Sequence, residues 1–407
     1  MRVLLSTIGS RGDVQPLVAL ALQLRDLGQE VRMCVPPDFR EWIDGLGIAV
    51  TPVGPELRKA TAGSAPAMPS PPLPMTPERR RQLAEESVAA QFDTVATAAR
   101  GCDIIVAATA LQIAARSVAE KMGIPYVFAA YCPRVLPSPH HAPLPLPPIP
   151  GQTPPSPTTD NRELWARDAE RFNGLFGPAL NAHRASIGLA PIEDVRGYVF
   201  TDRPWLAADD TLAPWPDPAD STVFQSGAWI ASDERPLSRD IEEFLDAGEP
   251  PIYFGFGSMR APPDLGAVMI RSARALGRRA IVSRGWADLA LLDGEADCLA
   301  VDEVNQQSLF TRVAAVVHHG GAGTTTIAAL AGAPQVVVPQ LYDQHFWAQR
   351  VDELGIGTAH APGQPTTDSL TGALERTLRR DVAARARSIA AAVRRDGARV
   401  AAQRVMN

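Results

Sequence analysis

Val313-Ala314-Ala315-Val316-Val317-His318-His319-Gly320-Gly321-Ala322-Gly323-Thr324-Thr325 decides the architecture of this 407-residue chain. The apolar run 313–317 reads as a buried strand, the glycine-rich stretch as a turn, and the apolar residues 327–330 as the opening of a helix. A buried strand that passes through glycines into a helix is half of a βαβ crossover, so its sheet should be parallel. Glycines at such a turn let backbone N–H groups converge, and the helix N-terminus adds partial positive charge. The spacing therefore predicts a phosphate or pyrophosphate ligand. Only two lysines occur, Lys59 and Lys121. No Walker-type lysine serves this turn, which excludes a P-loop NTPase and leaves His319 as the donor in that place.

The same alternation spreads in both directions. Residues 2–6, 31–35, 104–107 and 126–130 read as strands, with a turn at Gly9-Ser10-Arg11-Gly12 and helical apolar spacing over 14–27. Residues 252–256, 280–283 and 335–338 repeat the pattern around the 314–317 strand. The expected class is α/β, with two doubly wound Rossmann-like domains facing across a cleft. A chain of this length accommodates two or three domains at about 100–200 residues each. Residues 1–208 are assigned to the first, 223–385 to the second, and the Asp- and Pro-rich stretch 209–222 to a linker. A C-terminal helix, about 386–407, is expected to pack back on the first domain. Two proline-rich segments, 65–77 and 133–157, follow strand–helix units at the end where open sheets bind ligands. They read either as solvated extended linkers or as acceptor-binding loops.

Composition excludes several classes. A net charge of −6 argues against nucleic acid, whose phosphates require a basic surface. No apolar run reaches the ~18 residues of a membrane span, and the N-terminal apolar stretch is too short for a secretory signal, so a cytoplasmic protein is expected. The scattered Cys34, Cys102, Cys132 and Cys298 read as small core residues and not as a disulfide or zinc set. The adjacent His140 and His141 in the second proline-rich segment read as exposed side chains, with no carboxylate cluster beside them to suggest a metal.

Four further motifs stand at the carboxyl ends of strands or beside them: Gly255-Phe256-Gly257-Ser258, Ser283-Arg284-Gly285-Trp286, Glu303-Val304-Asn305-Gln306-Gln307-Ser308, and Pro339-Gln340-Leu341-Tyr342-Asp343-Gln344. Their side chains can converge on one cleft. With the glycine turn, this ordered set resembles the family 1 glycosyltransferases of GT-B fold. Gly9-Ser10-Arg11-Gly12-Asp13-Val14-Gln15-Pro16, Asp233-Glu234-Arg235-Pro236-Leu237 and Phe244-Leu245-Asp246-Ala247-Gly248 look like the branch that decorates vancomycin-type glycopeptide antibiotics. The likeness covers nearly the whole chain apart from the proline-rich segments.

The resemblance implies roles. His319 and the backbone of Gly321, Ala322, Gly323 and Thr324 would hold a donor diphosphate, with Ser258 adding a hydrogen bond from the facing loop. The backbone of Val304 would read the pyrimidine edge. Asp343 and Gln344 would contact the donor sugar, and His345 is a further candidate. Ser10, Arg11 and Gly12 would approach the donor from the first domain. Many relatives stack the base on a tryptophan where this chain has Glu303; a carboxylate cannot stack, so Trp286 or Arg284 is the candidate cover.

Acceptor activation needs a base, and the first loop, which carries histidine in most of the broader family, offers Asp13 instead. Asp13 also suits the N-cap of a helix starting at 14. An ordinary carboxylate is a weak base for an alcohol and fits a phenol better. No Asp-x-Asp pair occurs, so a metal-free site is expected, with no cofactor beyond the UDP- or TDP-sugar co-substrate. The expectation is inverting transfer of a hexose or amino sugar to a phenolic hydroxyl of a glycopeptide aglycone by a monomeric enzyme. A nucleotide-sugar epimerase, or a transferase for another polyphenol or a macrolide-type acceptor, is the alternative. A dinucleotide dehydrogenase is disfavoured because the first turn lacks G-x-G-x-x-G.

Overall fold

The computed structural model describes residues 1–58, 76–145, 156, 158–217, 219–259, 264–289 and 291–407. Most of the 65–77 segment, residues 146–155 and 157 of the second proline-rich segment, and Pro218 lie outside the described residues.

Continuous apolar runs form the strands because both faces of each sheet are covered by helices. The first sheet comprises β1 (Arg2–Thr7), β2 (Glu30–Val35), β3 (Ala49–Pro52), β4 (Ile104–Ala108), β5 (Tyr126–Ala130), β6 (Trp205–Leu206) and β7 (Phe224–Gln225). Its seven strands run in the order β3-β2-β1-β4-β5-β6-β7, all neighbours parallel. The second comprises β8 (Ile252–Gly255), β9 (Ala280–Ser283), β10 (Cys298–Val301), β11 (Ala315–His318), β12 (Gln335–Val337) and β13 (Gly357–Ala359). Its six strands run β10-β9-β8-β11-β12-β13, again parallel. Two doubly wound domains are thus present. Strand order reverses between β1 and β4 in one and between β8 and β11 in the other, and ligands of open α/β sheets sit outside such reversals.

The 209–222 stretch is not a free linker between the domains. It joins β6 to β7 inside the first sheet, where Trp205 pairs with Phe224 and Leu206 with Gln225. Buried Asp209 knits it down, accepting N–H bonds from Thr211 at 2.9 Å, Leu212 at 3.1 Å and Arg394 at 2.8 Å. Leu212 and Trp215 are buried as well. The turn-forming residues were legible; a two-residue strand leaves no periodicity by which to place it.

The last helix, Gly397–Met406, lies on the Arg11–Asp26 helix of the first domain. Its Ala398, Ala401, Ala402 and Val405 enter the same core as Val14, Val18 and Val3. Gly227 (φ +93°) makes that return possible, since a Cβ there would stand 3.2 Å from the Gly397 Cα. A second apolar core runs across the domain junction, joining Phe128, Leu206 and Leu212 to Leu330, Trp347, Val351 and Ile389.

Candidate functional site

The two strand-order reversals face each other. In the second sheet His318 pairs with Gly255, which brings the turn after β11 beside the loop after β8. The helix Ala322–Leu330 starts five residues earlier than its apolar pattern suggested, with Gly321 as N-cap. Threonine, glycine and alanine carry no helical apolar signal, yet they form its first turn. The early start leaves the first-turn N–H groups of the expected anion site without intrahelical partners. Gly320 holds φ +94°, and a Cβ there would stand 2.7 Å from Val337 Cγ1 and 3.0 Å from the Gln344 oxygen. The turn therefore packs directly on the Asp343–Gln344 segment.

The two histidines of the turn divide the labour. His318 is buried; its Nδ1 accepts from Gly320 N at 3.1 Å and its Nε2 lies 2.9 Å from Gln335 Oε1. That pattern fixes the Nε2–H tautomer and pins the turn to β12. Burial, with neighbouring His319, lowers its pKa to about 3. The His319 ring reaches between the glycine loops. A Cβ on Gly321 would stand 2.8 Å from its Nε2, and one on Gly257 3.4 Å from its Cε1. Its Nδ1 is shielded from solvent without a hydrogen-bond partner. Burial lowers the His319 pKa to about 4, so the ring carries no charge at pH 7. Ser258 follows Gly257 and is half-buried.

Asp13 faces this turn from the first domain. Ser10, not Asp13, is the N-cap of the Arg11–Asp26 helix; Asp13 is its third residue. The Asp13 Oδ2 reaches back to the Ser10 N–H at 2.7 Å and to Ser10 Oγ at 3.2 Å. The capping expectation is corrected by three positions, because the helix begins with Arg11-Gly12 rather than with the first apolar residue. Burial pushes the Asp13 carboxyl up to about 6, the Ser10 bonds oppose this, and the charge of Asp343 raises it further. Tyr131 donates to the Asp13 carbonyl at 3.0 Å and packs edge-on against Trp229. A cavity of about 20 Å³ lies where Pro16 and Tyr131 of the first domain meet Ala322, Gly323 and Thr326 of the second. The N-terminal ends of the two helices therefore approach one another.

Asp343 is the N-cap of the Gln344–Glu353 helix, and its Oδ2 accepts from Trp347 Nε1 at 3.1 Å. Burial pushes this carboxyl up to about 6 as well. Buried Gln344 braces the loop before it. Its Oε1 accepts from the N–H groups of Gln340 at 2.8 Å and Leu341 at 3.0 Å, and its Nε2 lies 3.4 Å from Met259 Sδ. This bracing role had no sequence signal. It holds Tyr342 in a left-handed conformation (φ 50°) with its side chain exposed. His345 is exposed.

Across the same cleft Glu303 is engaged from both domains. Arg11 pairs with it bidentately, Nη1–Oε2 and Nη2–Oε1 both at 2.7 Å, while Arg235 Nη1 lies 3.2 Å from Oε1. The guanidinium of Arg11, expected to approach the donor, is thus directed to Glu303. Trp286 stacks on Phe39 of the first domain, with ring centroids 6.2 Å apart, and its backbone N–H donates to the Gly257 carbonyl. Arg284 is exposed and stands 3.5 Å from Asp302. Val304 packs against the core of the second sheet. Asn305 beside it caps the following helix and donates to the Asp233 and Arg235 carbonyls.

His141 is not exposed as expected: it is wedged edge-on between Trp165 and Trp215, and burial lowers its pKa. Among the described residues no three His, Cys, Asp or Glu side chains converge as a metal set, and no helix is long and apolar enough to cross a membrane.

Residues 3–138 match the Glycosyltransferase family 28 N-terminal domain, and residues 289–401 match the C-terminal domain of Erythromycin biosynthesis protein CIII-like proteins. Glycosyltransferase GtfE of Amycolatopsis orientalis is 52% identical over 404 residues, covering 99% of this chain and 96% of its own. The vancomycin aglycone glucosyltransferase of the same organism is 50% identical, covering 100% and 97%. Its dTDP-epi-vancosaminyltransferase is 45% identical, covering 96% and 93%. Among solved structures, the kitacinnamycin glycosyltransferase superposes with a TM-score of 0.73 at 19% identity over 100% of this chain and 98% of that one. VinC, solved with DTDP, gives 0.68 at 21% over 96% and 95%. These last two attest the fold.

Proposed function

The chain belongs to the GT-B glycosyltransferases, closely related to the vancomycin-type glycopeptide antibiotic enzymes, and from that premise we propose that it transfers a hexose or amino sugar from a UDP- or TDP-sugar to a phenolic hydroxyl of a glycopeptide aglycone, with inversion. The observation that carries the reading is Asp13, near enough to Asp343 of the other domain to feel its charge, on a helix whose Pro16 meets Ala322 and Gly323 of the glycine turn.

In this reading the second domain carries the donor. The N–H groups of Gly321, Ala322, Gly323 and Thr324 receive the diphosphate with the helix dipole behind them, and His319 and Ser258 add side-chain hydrogen bonds. Donors aimed at the charge that grows on the leaving diphosphate stabilise the transition state without a metal. The Val304 backbone reads the pyrimidine, Trp286 or Arg284 covers it, and Asp343 holds sugar hydroxyls. Gln344 acts mainly by bracing that loop.

The acceptor enters from the first domain, whose Ser10 and Gly12 approach the donor. Asp13 takes the acceptor proton as the oxygen attacks the anomeric carbon and the diphosphate departs from the opposite face. A carboxylate with a pKa near 6 is a better base than an ordinary one and still ionised at neutral pH. The four free, buried cysteines accord with a cytoplasmic enzyme, and we take it to act as a monomer.

The test is mass spectrometry of a glycopeptide aglycone incubated with UDP- and TDP-sugars in the presence of EDTA. A gain of one hexose or amino sugar, with inverted configuration, is expected. Retained configuration, or sugar interconversion without transfer, would replace this reading with another.

A further inference from the structure

The Arg11–Glu303 pair joins residues 292 positions apart, one on each side of the cleft. Arg11 is the first residue of the Arg11–Asp26 helix, two residues before Asp13 in its first turn. Glu303 stands two residues past β10 and directly before Val304. Each partner is held from behind. The Arg11 guanidinium lies 4.4 Å from the Trp42 ring centroid, and its Nε is 3.3 Å from Gln15 Oε1. Glu303 is steadied by Arg235, whose guanidinium is itself fixed by Asp233 at 2.7 Å. A planar fork held in this way has a defined direction, unlike a lone surface pair of mobile side chains.

Both partners are partly exposed, with side-chain exposures of 31% and 49%. An exposed pair adds little to overall stability, but this one bridges domains. The apolar junction fixes the domains near Trp347 and Leu330; the pair ties them at a second point, through the first turn of the Asp13 helix.

We propose that Glu303 is a positioning residue that clamps Arg11 and thereby sets the Asp13 helix in register with the donor domain. This deepens the function proposed above and rests on it. Directly before Val304, the chain thus places a strut between the domains. A misplacement of the order of 1 Å at the reacting atoms lowers turnover by up to about a hundredfold, so the pair acts on kcat more than on donor affinity.

The experiment is a double-mutant cycle of Arg11→Gln, Glu303→Gln and the pair, read in three ways: kcat and KM for transfer across 0.05–1 M salt, UDP binding by calorimetry, and the scattering radius without acceptor. Both single variants should lower kcat about three- to tenfold with the double no worse than either, since residues acting as a unit are non-additive. Wild-type kcat should fall with salt and the variants lose that slope. The variants should also show a larger radius. Additive losses, an unchanged radius, or normal turnover in Glu303→Gln would overturn the proposal. So would weakened UDP binding in Arg11→Gln alone, which would make Arg11 a direct donor contact. Should no acceptor be turned over at all, the functional reading fails while radius and UDP binding still decide the strut.

Discussion

Asp343, on the donor-domain side, raises the proton affinity of Asp13 on the opposite side of the cleft. The carboxylate proposed as base is therefore tuned first by its own burial and then by a charge that the second domain brings.

If Asp13 is the base it must be ionised, and its pKa is pushed up to about 6. Transfer should rise with pH through about 6 and level off above. Asp343→Asn removes a negative neighbour, so the acid limb of the kcat/KM profile should move to lower pH, whatever happens to its height. Asp13→Asn should lose transfer by at least the 10²–10⁴-fold typical of a general base. A limb unmoved in Asp343→Asn would separate the two carboxylates.

His319→Ala should fold normally, because its Nδ1 has no partner to lose. Removing a donor aimed at the leaving group should reduce kcat by about 10²–10³-fold. Thermal melting together with single-turnover rates checks both halves of that statement.

His318→Leu should act on stability instead. It leaves the Gly320 N–H and the Gln335 Oε1 without their imidazole partner. Each buried orphan costs ~1–3 kcal/mol. The histidine also has a pH signature: its pKa is near 3 folded and near its ordinary ~6.5 unfolded, so the unfolded chain binds the extra proton between those values. Its contribution is complete above about 6.5 and declines as pH falls towards 3. Urea midpoints of wild type and His318→Leu should converge on acidification.

Gly320→Ala should be among the more damaging single changes in the donor domain. A left-handed backbone would carry a Cβ 2.7 Å from Val337. Strain of ~1–3 kcal/mol is expected from the backbone alone, with loss of UDP binding as the turn shifts. Calorimetry with UDP measures the second effect directly.

The repeated strand–turn–helix pattern and the glycine turn were legible, because each rests on local chemistry: burial on both faces of a strand, φ above zero at a glycine. What stayed hidden depends on partners far along the chain. Nothing near Glu303 announces Arg11, and nothing near His318 announces Gln335. The bracing of Gln340 and Leu341 by Gln344 was hidden too, because it is a matter of loop shape. The two-residue strands β6 and β7 were missed for want of any period to count.

The chain's return to its starting domain bears on how such enzymes can be recombined. Ala398, Ala401, Ala402 and Val405 share a core with Val3 and Val14, and Gly397 abuts Gly227 so closely that neither tolerates a side chain. A single crossover that joins the front half of one enzyme to the back half of another would pair an N-terminal core with a foreign closing helix. Hybrids intended to exchange acceptor preference should therefore be spliced twice, once after β7 and once before Gly397, so that both pieces of that core come from one parent.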